Sequence, residues 1–149
     1  MGKATGVIGI GYEGQDLETF VDGLVNWNVR TLVDVRLNAI SRKRGFSKTA
    51  LRAGLAVAGI NYRHEAVLGN PKDNRQGFAE FGSAEGREAR ERFLARLASD
   101  QSSAALDSIA DLASTSRVAI MCFEQSERHC HRHEVLAELR DRLETLVNA

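Results

Sequence analysis

The chain has 149 residues, 43% of them hydrophobic, with one proline and a formal net charge of zero. This composition predicts one globular domain spanning residues 1–149 and excludes a disordered or low-complexity chain. No apolar run approaches the roughly 20 residues of a membrane helix, so no membrane partner is expected.

Gly6 to Ile10 reads as a short buried strand, followed by the glycine loop Gly11 to Gly14. Asp16 is placed to cap a helix with Leu17, Phe20, Val21, Leu24 and Val25 on one face. Thr31 to Val35 is a second strand of β-branched and apolar residues. After the loop LNAISRKRGF, Ser47 is expected to cap a helix carrying Leu51, Leu55 and Ala58 and closed by Gly59. Ile60 to His64 is a third strand, and LGNPKDNRQGF is loop by its Gly, Asn and Pro content. Two helices are predicted at 87–98 and 104–113, with Phe93, Leu94, Leu97, Leu106, Ile109 and Ala113 inward. Val118 to Phe123 is the fourth strand. A last helix is predicted from His129 to Leu146, burying Val135, Leu136, Leu139, Leu143 and Leu146. Strands alternating with helices predict a single α/β domain with a mainly parallel central sheet, whose reactive groups collect at the strands' carboxyl ends.

The N-terminus, MGKATGVIGIGYEG, lacks the apolar core of an export signal; with two cysteines, this predicts reduced thiols and a cytoplasmic protein. Charge is unevenly spread. From Arg36 to Arg75 nine basic residues face two acids, a net +7, which leaves −7 for the remainder. Such a basic half suits an anionic partner, or is a solvated face balanced by acidic helices.

The segment Arg117 to His133, RVAIMCFEQSERHCHRH, holds both cysteines and three of the four histidines. Placed in the first turn of the last helix, Cys130 would have its thiolate stabilised by unpaired backbone N–H groups, the helix dipole and Arg132. It is a candidate nucleophile, redox thiol or metal ligand, weighed against a small buried residue at a helix start. Cys122, inside the apolar run, reads as a core residue, although a disulfide to Cys130 is possible in principle. Glu124, where the strand ends, and His131 are candidate proton carriers. Cys122 and Arg128 match the C-x5-R spacing of a phosphate loop, but the intervening FEQSE carries two acids that would repel phosphate. The His and Cys spacings do not form a zinc pattern, so neither metal nor cofactor is expected.

Two further constellations share the carboxyl edge. Gly9, Gly11 and Gly14 form a G-x-G-x-x-G with Asp34 twenty residues on, the pattern of a dinucleotide site. It also fits a simple tight turn. The basic loop presents Arg36, Ser41, Arg42, Phe46 and Lys48. Its arginines can fork to carboxylates or phosphates, the helix start adds an anion-binding end, and Phe46 could stack on a base. Tyr62 and His64 are expected to face the same mouth.

These residues together resemble the domain-of-unknown-function family number 488. The resemblance rests on GYEG at 11–14, LVDVR at 32–36, SRKRGFSK at 41–48, GINYRH at 59–64, LGN at 68–70, MCFE at 121–124 and CHR at 130–132. Where the family often has a proline before the Ser-Arg pair, this chain has Ala39. The resemblance implies an α/β fold and a site made of Tyr12, Arg36, Ser41, Arg42, Phe46, Cys122, Glu124, Cys130, His131 and Arg132. It implies no reaction.

The expectation is an enzyme acting on a phosphate-bearing or otherwise anionic small molecule. Arg36, Arg42 and Arg132 would bind the anion, Cys130 would be the reactive thiol, and Glu124 and His131 would move protons. The alternative is a nucleic-acid-binding module using residues 36–75, marked by affinity that falls steeply with salt. A dinucleotide-binding protein is the third reading.

Overall fold

Among the described residues the fold is α/β, four parallel strands flanked by five α-helices. It is seen in a computed structural model that describes residues 4–71, 74, 83–122 and 131–147. Strands β1 (Gly6–Gly11), β2 (Val29–Asp34), β3 (Asn61–His64) and β4 (Arg117–Cys122) lie in the order β1-β4-β2-β3. Their register aligns Gly11 with Cys122, Met121 with Asp34, and Asp34 with His64, so the carboxyl ends finish along one edge. Among the described residues, no helix is long and apolar enough to cross a membrane.

Side chains alternate across the pleat and build two cores. Leu32, Ala119 and Met121 pack under α1 (Leu17–Asn26) and α2 (Lys48–Val57), with Phe20, Leu24, Leu51 and Leu55. Val33, Val118, Ile120 and Cys122 turn the other way. They meet Phe93 and Leu97 of α3 (Ala84–Leu97), Leu106 and Ile109 of α4 (Asp100–Ala113), and Val135, Leu136 and Leu139 of α5 (Arg132–Val147). β1 and β2 both lead into the first layer, whereas β4, between them, leads into the second. β4 is thus the point where connections diverge to opposite faces, and a parallel sheet opens a crevice at the carboxyl end of such a strand.

Several expected details differ. Asp16 caps α1 as predicted, accepting from Thr19 N at 2.8 Å, but Val25 is half exposed at that helix's edge. Ser47 occupies the cap position of α2 without capping it: its Oγ accepts from Ser41 N at 3.0 Å and donates to Ser41 O at 3.2 Å. α3 and α4 begin earlier than predicted because Ser83 and Ser99 cap them, accepting from Gly86 N and Ser102 N. Leu94 and Leu146, expected inward, are 43% and 44% exposed. α5 starts at Arg132, with His131 O accepting from Glu134 N at 3.1 Å, so its first turn lies beyond Cys130.

The LGN stretch has a steric reason. A Cβ on Gly69 would stand 2.6 Å from Leu37 Cα, so the backbone after the short 3-10 turn Ala66–Leu68 presses against the segment that follows Arg36. Neither backbone can yield cheaply. Gly69→Ala is expected to lower stability by about 2–3 kcal/mol, read as a shift in the denaturation midpoint with an unchanged slope.

Candidate functional site

The carboxyl edge is organised around Asp34, the last residue of β2, which is fully buried. Its Oδ1 accepts from Arg36 N at 3.0 Å and Arg36 Nε at 2.9 Å; its Oδ2 accepts from Arg36 Nη2 at 2.7 Å and Tyr62 OH at 2.6 Å. Spacing i, i+2 puts both ionic residues on one side of the chain as it leaves the sheet. Arg36, 7% exposed, uses its remaining edge inward. Nη1 donates to Phe46 O at 2.6 Å and to Tyr12 OH at 3.3 Å. Burial works against the guanidinium's charge, but the hydrogen bonds to Asp34 and its negative charge outweigh it and hold Arg36 more firmly protonated than usual.

Aromatic rings seal this pair. Tyr12 and Phe46 stack at 4.4 Å, and Phe20 meets both edge-on. Phe46 is therefore a core ring with no exposed surface, contrary to the expectation that it stacks on a base. Arg36 was expected to bind a ligand anion; its fork already grips an internal carboxylate. Asp34, the proposed ribose acid of a dinucleotide site, has both oxygens occupied. Gly9 lies within β1 opposite Ile120, and Gly14, at φ 78°, turns the chain ahead of α1 instead of packing inside it.

Two histidines dock on consecutive carbonyls just past β2. His64 Nε2 lies 2.7 Å from Arg36 O, and His131 Nε2 lies 2.9 Å from Val35 O. A carbonyl only accepts, so each Nε2 carries the hydrogen, and the neutral ring keeps its lone pair on Nδ1. Phe93 packs edge-on against His131, at 5.2 Å between centroids. Both rings are half-buried.

The basic loop divides in two. Ser41 is half-buried and braces the loop: its Oγ accepts from Lys43 N at 3.0 Å. Arg42, Arg44 and Lys48 are exposed. Arg132, 1% exposed, lies beneath the surface at the start of α5. Glu124 and Cys130 lie outside the described residues. Cys122 is buried as expected, but it is disulfide-bonded where a reduced thiol was predicted. Pairing depends on Cα separation and direction, which spacing along a sequence does not supply. Among the described residues, no three His, Cys, Asp or Glu side chains are grouped to hold a metal.

The role of Asp34 as the hub is not evident from the sequence, in which Arg36 reads as a free cation. The Asp-x-Arg spacing at a strand end was the available signal. The docking of His64 and His131 has no local signature, because both carbonyls belong to a distant segment.

Removing Arg36 alone strands a buried carboxylate. Arg36→Leu is expected to lower stability by about 3–5 kcal/mol, and the double variant Asp34→Asn, Arg36→Leu by less than the sum of the single changes. A double-mutant cycle in urea measures this coupling; strict additivity would show that the two groups do not act as a pair. Tyr62 gives a second test. Burial pushes its phenol pKa up, and the hydrogen bond to Asp34 and that residue's charge push it further, against a smaller opposing effect of Arg36. A raised folded pKa means stabilisation that is full below the ordinary phenol value and lost as pH rises through the folded one. At pH about 11, one unit above the ordinary phenol pKa, phenolate absorbance of the folded protein is expected to be unchanged by Tyr62→Phe. A drop in the variant would show that Tyr62 ionises normally.

Compared with known proteins, the chain matches no curated protein and no solved structure. The family described as Domain of unknown function DUF488 matches residues 16–139, which runs from the cap of α1 to the buried Leu139 of α5 and takes in Asp34, Arg36, both docked histidines and the basic loop. The chain belongs to the DUF488 family.

Proposed function

We propose that the protein is a cytoplasmic enzyme acting on a phosphate-bearing or otherwise anionic substrate at the carboxyl edge of the sheet. The observation that carries this reading is the pair of imidazoles held by Nε2 on the consecutive carbonyls of Val35 and Arg36. Orientation by a fixed hydrogen bond is what a proton-transferring histidine needs. Arg42, exposed on the loop that Arg36 anchors, and Lys48, exposed at the start of α2, supply positive potential to draw in an anion. In this reading His131 carries protons, Glu124 serves as a second proton carrier, and Cys130 in its reduced form is the nucleophile. Arg36, Tyr12 and Tyr62 act as positioning residues, Ser41 shapes the loop, His64 is a second base, and Arg132 adds buried positive charge.

A nucleic-acid-binding module is the second reading, favoured by the exposed run Arg42, Arg44, Lys48 and Arg52. Burial of Phe46 removes the aromatic that a single-stranded ligand would stack on.

The first reading is tested by turnover on a panel of small phosphate esters with the chain reduced. His131→Gln and Cys130→Ser are each expected to lower kcat by about 10²-fold or more with circular dichroism unchanged. No turnover of any ester by the wild type, or full activity in both variants, would remove it.

A further inference from the structure

We infer a second anion site, distinct from the proposed strand-edge site, in a pocket between α3 and the residues Pro71 and Asn74; it takes a small phosphate monoester. The cavity is about 260 Å³ and is lined by Pro71, Asn74, Arg92, Phe93 and Arg96. Arg92 and Arg96 stand one helical turn apart, so their like charges share a face of α3 and repel. Neither has a carboxylate partner among the described residues. By contrast, Arg90, on the same helix, pairs with Glu134, and Arg142 with Asp107 and Glu138.

Arg96 goes further. Its Nε is buried and has no hydrogen-bond partner. A buried donor left unmade is destabilising, and a charged one more so, which marks a group waiting for an acceptor. Arg92 is already aimed. Its Nε donates to Asn74 Oδ1 at 2.7 Å, and Asn74 is itself fixed by donating to Asn70 Oδ1 and Ala89 O, both at 2.9 Å. The terminal nitrogens of Arg92 are left for another acceptor.

Two unneutralised guanidinium groups match a dianion, and a phosphoryl group presents three oxygens to their forks. Phe93 and Pro71 give the pocket an apolar wall, which suits a compact organic group on that phosphate. None of this depends on the loop cations. Phe93 is the link to the strand edge, since its ring also meets His131.

Calorimetric titration of the full chain at fixed neutral pH and ionic strength, with phenyl phosphate, inorganic phosphate and benzoate, tests the site. Both phosphates are expected to saturate, phenyl phosphate more tightly, and benzoate to bind more weakly. Arg96→Gln is expected to weaken phenyl phosphate binding on the order of tenfold or more, and Arg30→Gln, at an exposed cation of β2 outside both sites, to leave it unchanged. Without ligand, Arg96→Gln is expected to melt at or above the wild-type Tm, because a repulsive pair and an orphaned donor are removed. The inference is overturned if the wild type shows no saturable binding of either phosphate. It is also overturned if Arg96→Gln binds as the wild type does, if Arg30→Gln abolishes binding, or if benzoate binds as tightly as phenyl phosphate.

Discussion

The buried ion pair between Asp34 and Arg36 is the constraint on which the edge of the sheet depends. Taking two charges out of water is unfavourable unless every lone pair and proton finds a partner. Here the carboxylate accepts from the backbone and side chain of Arg36 and from Tyr62, while the guanidinium also reaches Tyr12 and the carbonyl of Phe46. Those partners come from the residue after β1, from β3 and from the basic loop. Satisfying one pair therefore ties together four stretches of chain. The loop that follows Arg36 takes its pose from these bonds and from Lys48 N donating to Ala39 O at 2.8 Å, which explains how it is held with alanine in place of the family's frequent proline.

The same interaction separates two uses of positive charge. Arg36, Arg90 and Arg142 are neutralised by carboxylates and serve the fold, whereas Arg42, Arg44 and Lys48 stand in solvent with their charge unspent. Net charge along the sequence adds these groups together. Only the structure shows that the field outside the loop comes from its tip, and that Arg36 at its root contributes rigidity.

Much of the architecture was legible. TLVDV and RVAIMC are short apolar and β-branched runs, and their order with amphipathic helices leaves few alternatives to a parallel α/β sheet. Asp16 was readable as a cap because its partner is three residues away. Failures began where a side chain's partner is remote. Ser47 has the right identity and position for a cap, yet Ser41 claims its hydroxyl. Phe46 and Arg36, in a polar run, looked solvent-facing; Tyr12 and Asp34, distant in sequence, draw both inward. Val25, Leu94 and Leu146 fit helical periodicity but sit at the margins of buried stripes, where the period alone does not say how wide the covered face is. Arg92 and Arg96, two arginines a turn apart, read from the sequence as a solvated face.

The strand order has a consequence for how the chain reaches this state. β4 lies between β1 and β2, so the two strands made first have no backbone partner in common until residues beyond 116 exist. During synthesis, β1 with its helix must wait apart from β2, which can pair with β3, while the intervening helices emerge. Gly6 finally pairs with Arg117, a closure across most of the sequence. Such late, non-local closure slows folding and leaves strand edges exposed in the interim. The inner strand β4 is thus the last of the four to be made, and its arrival joins β1 to β2 and β3 in one sheet.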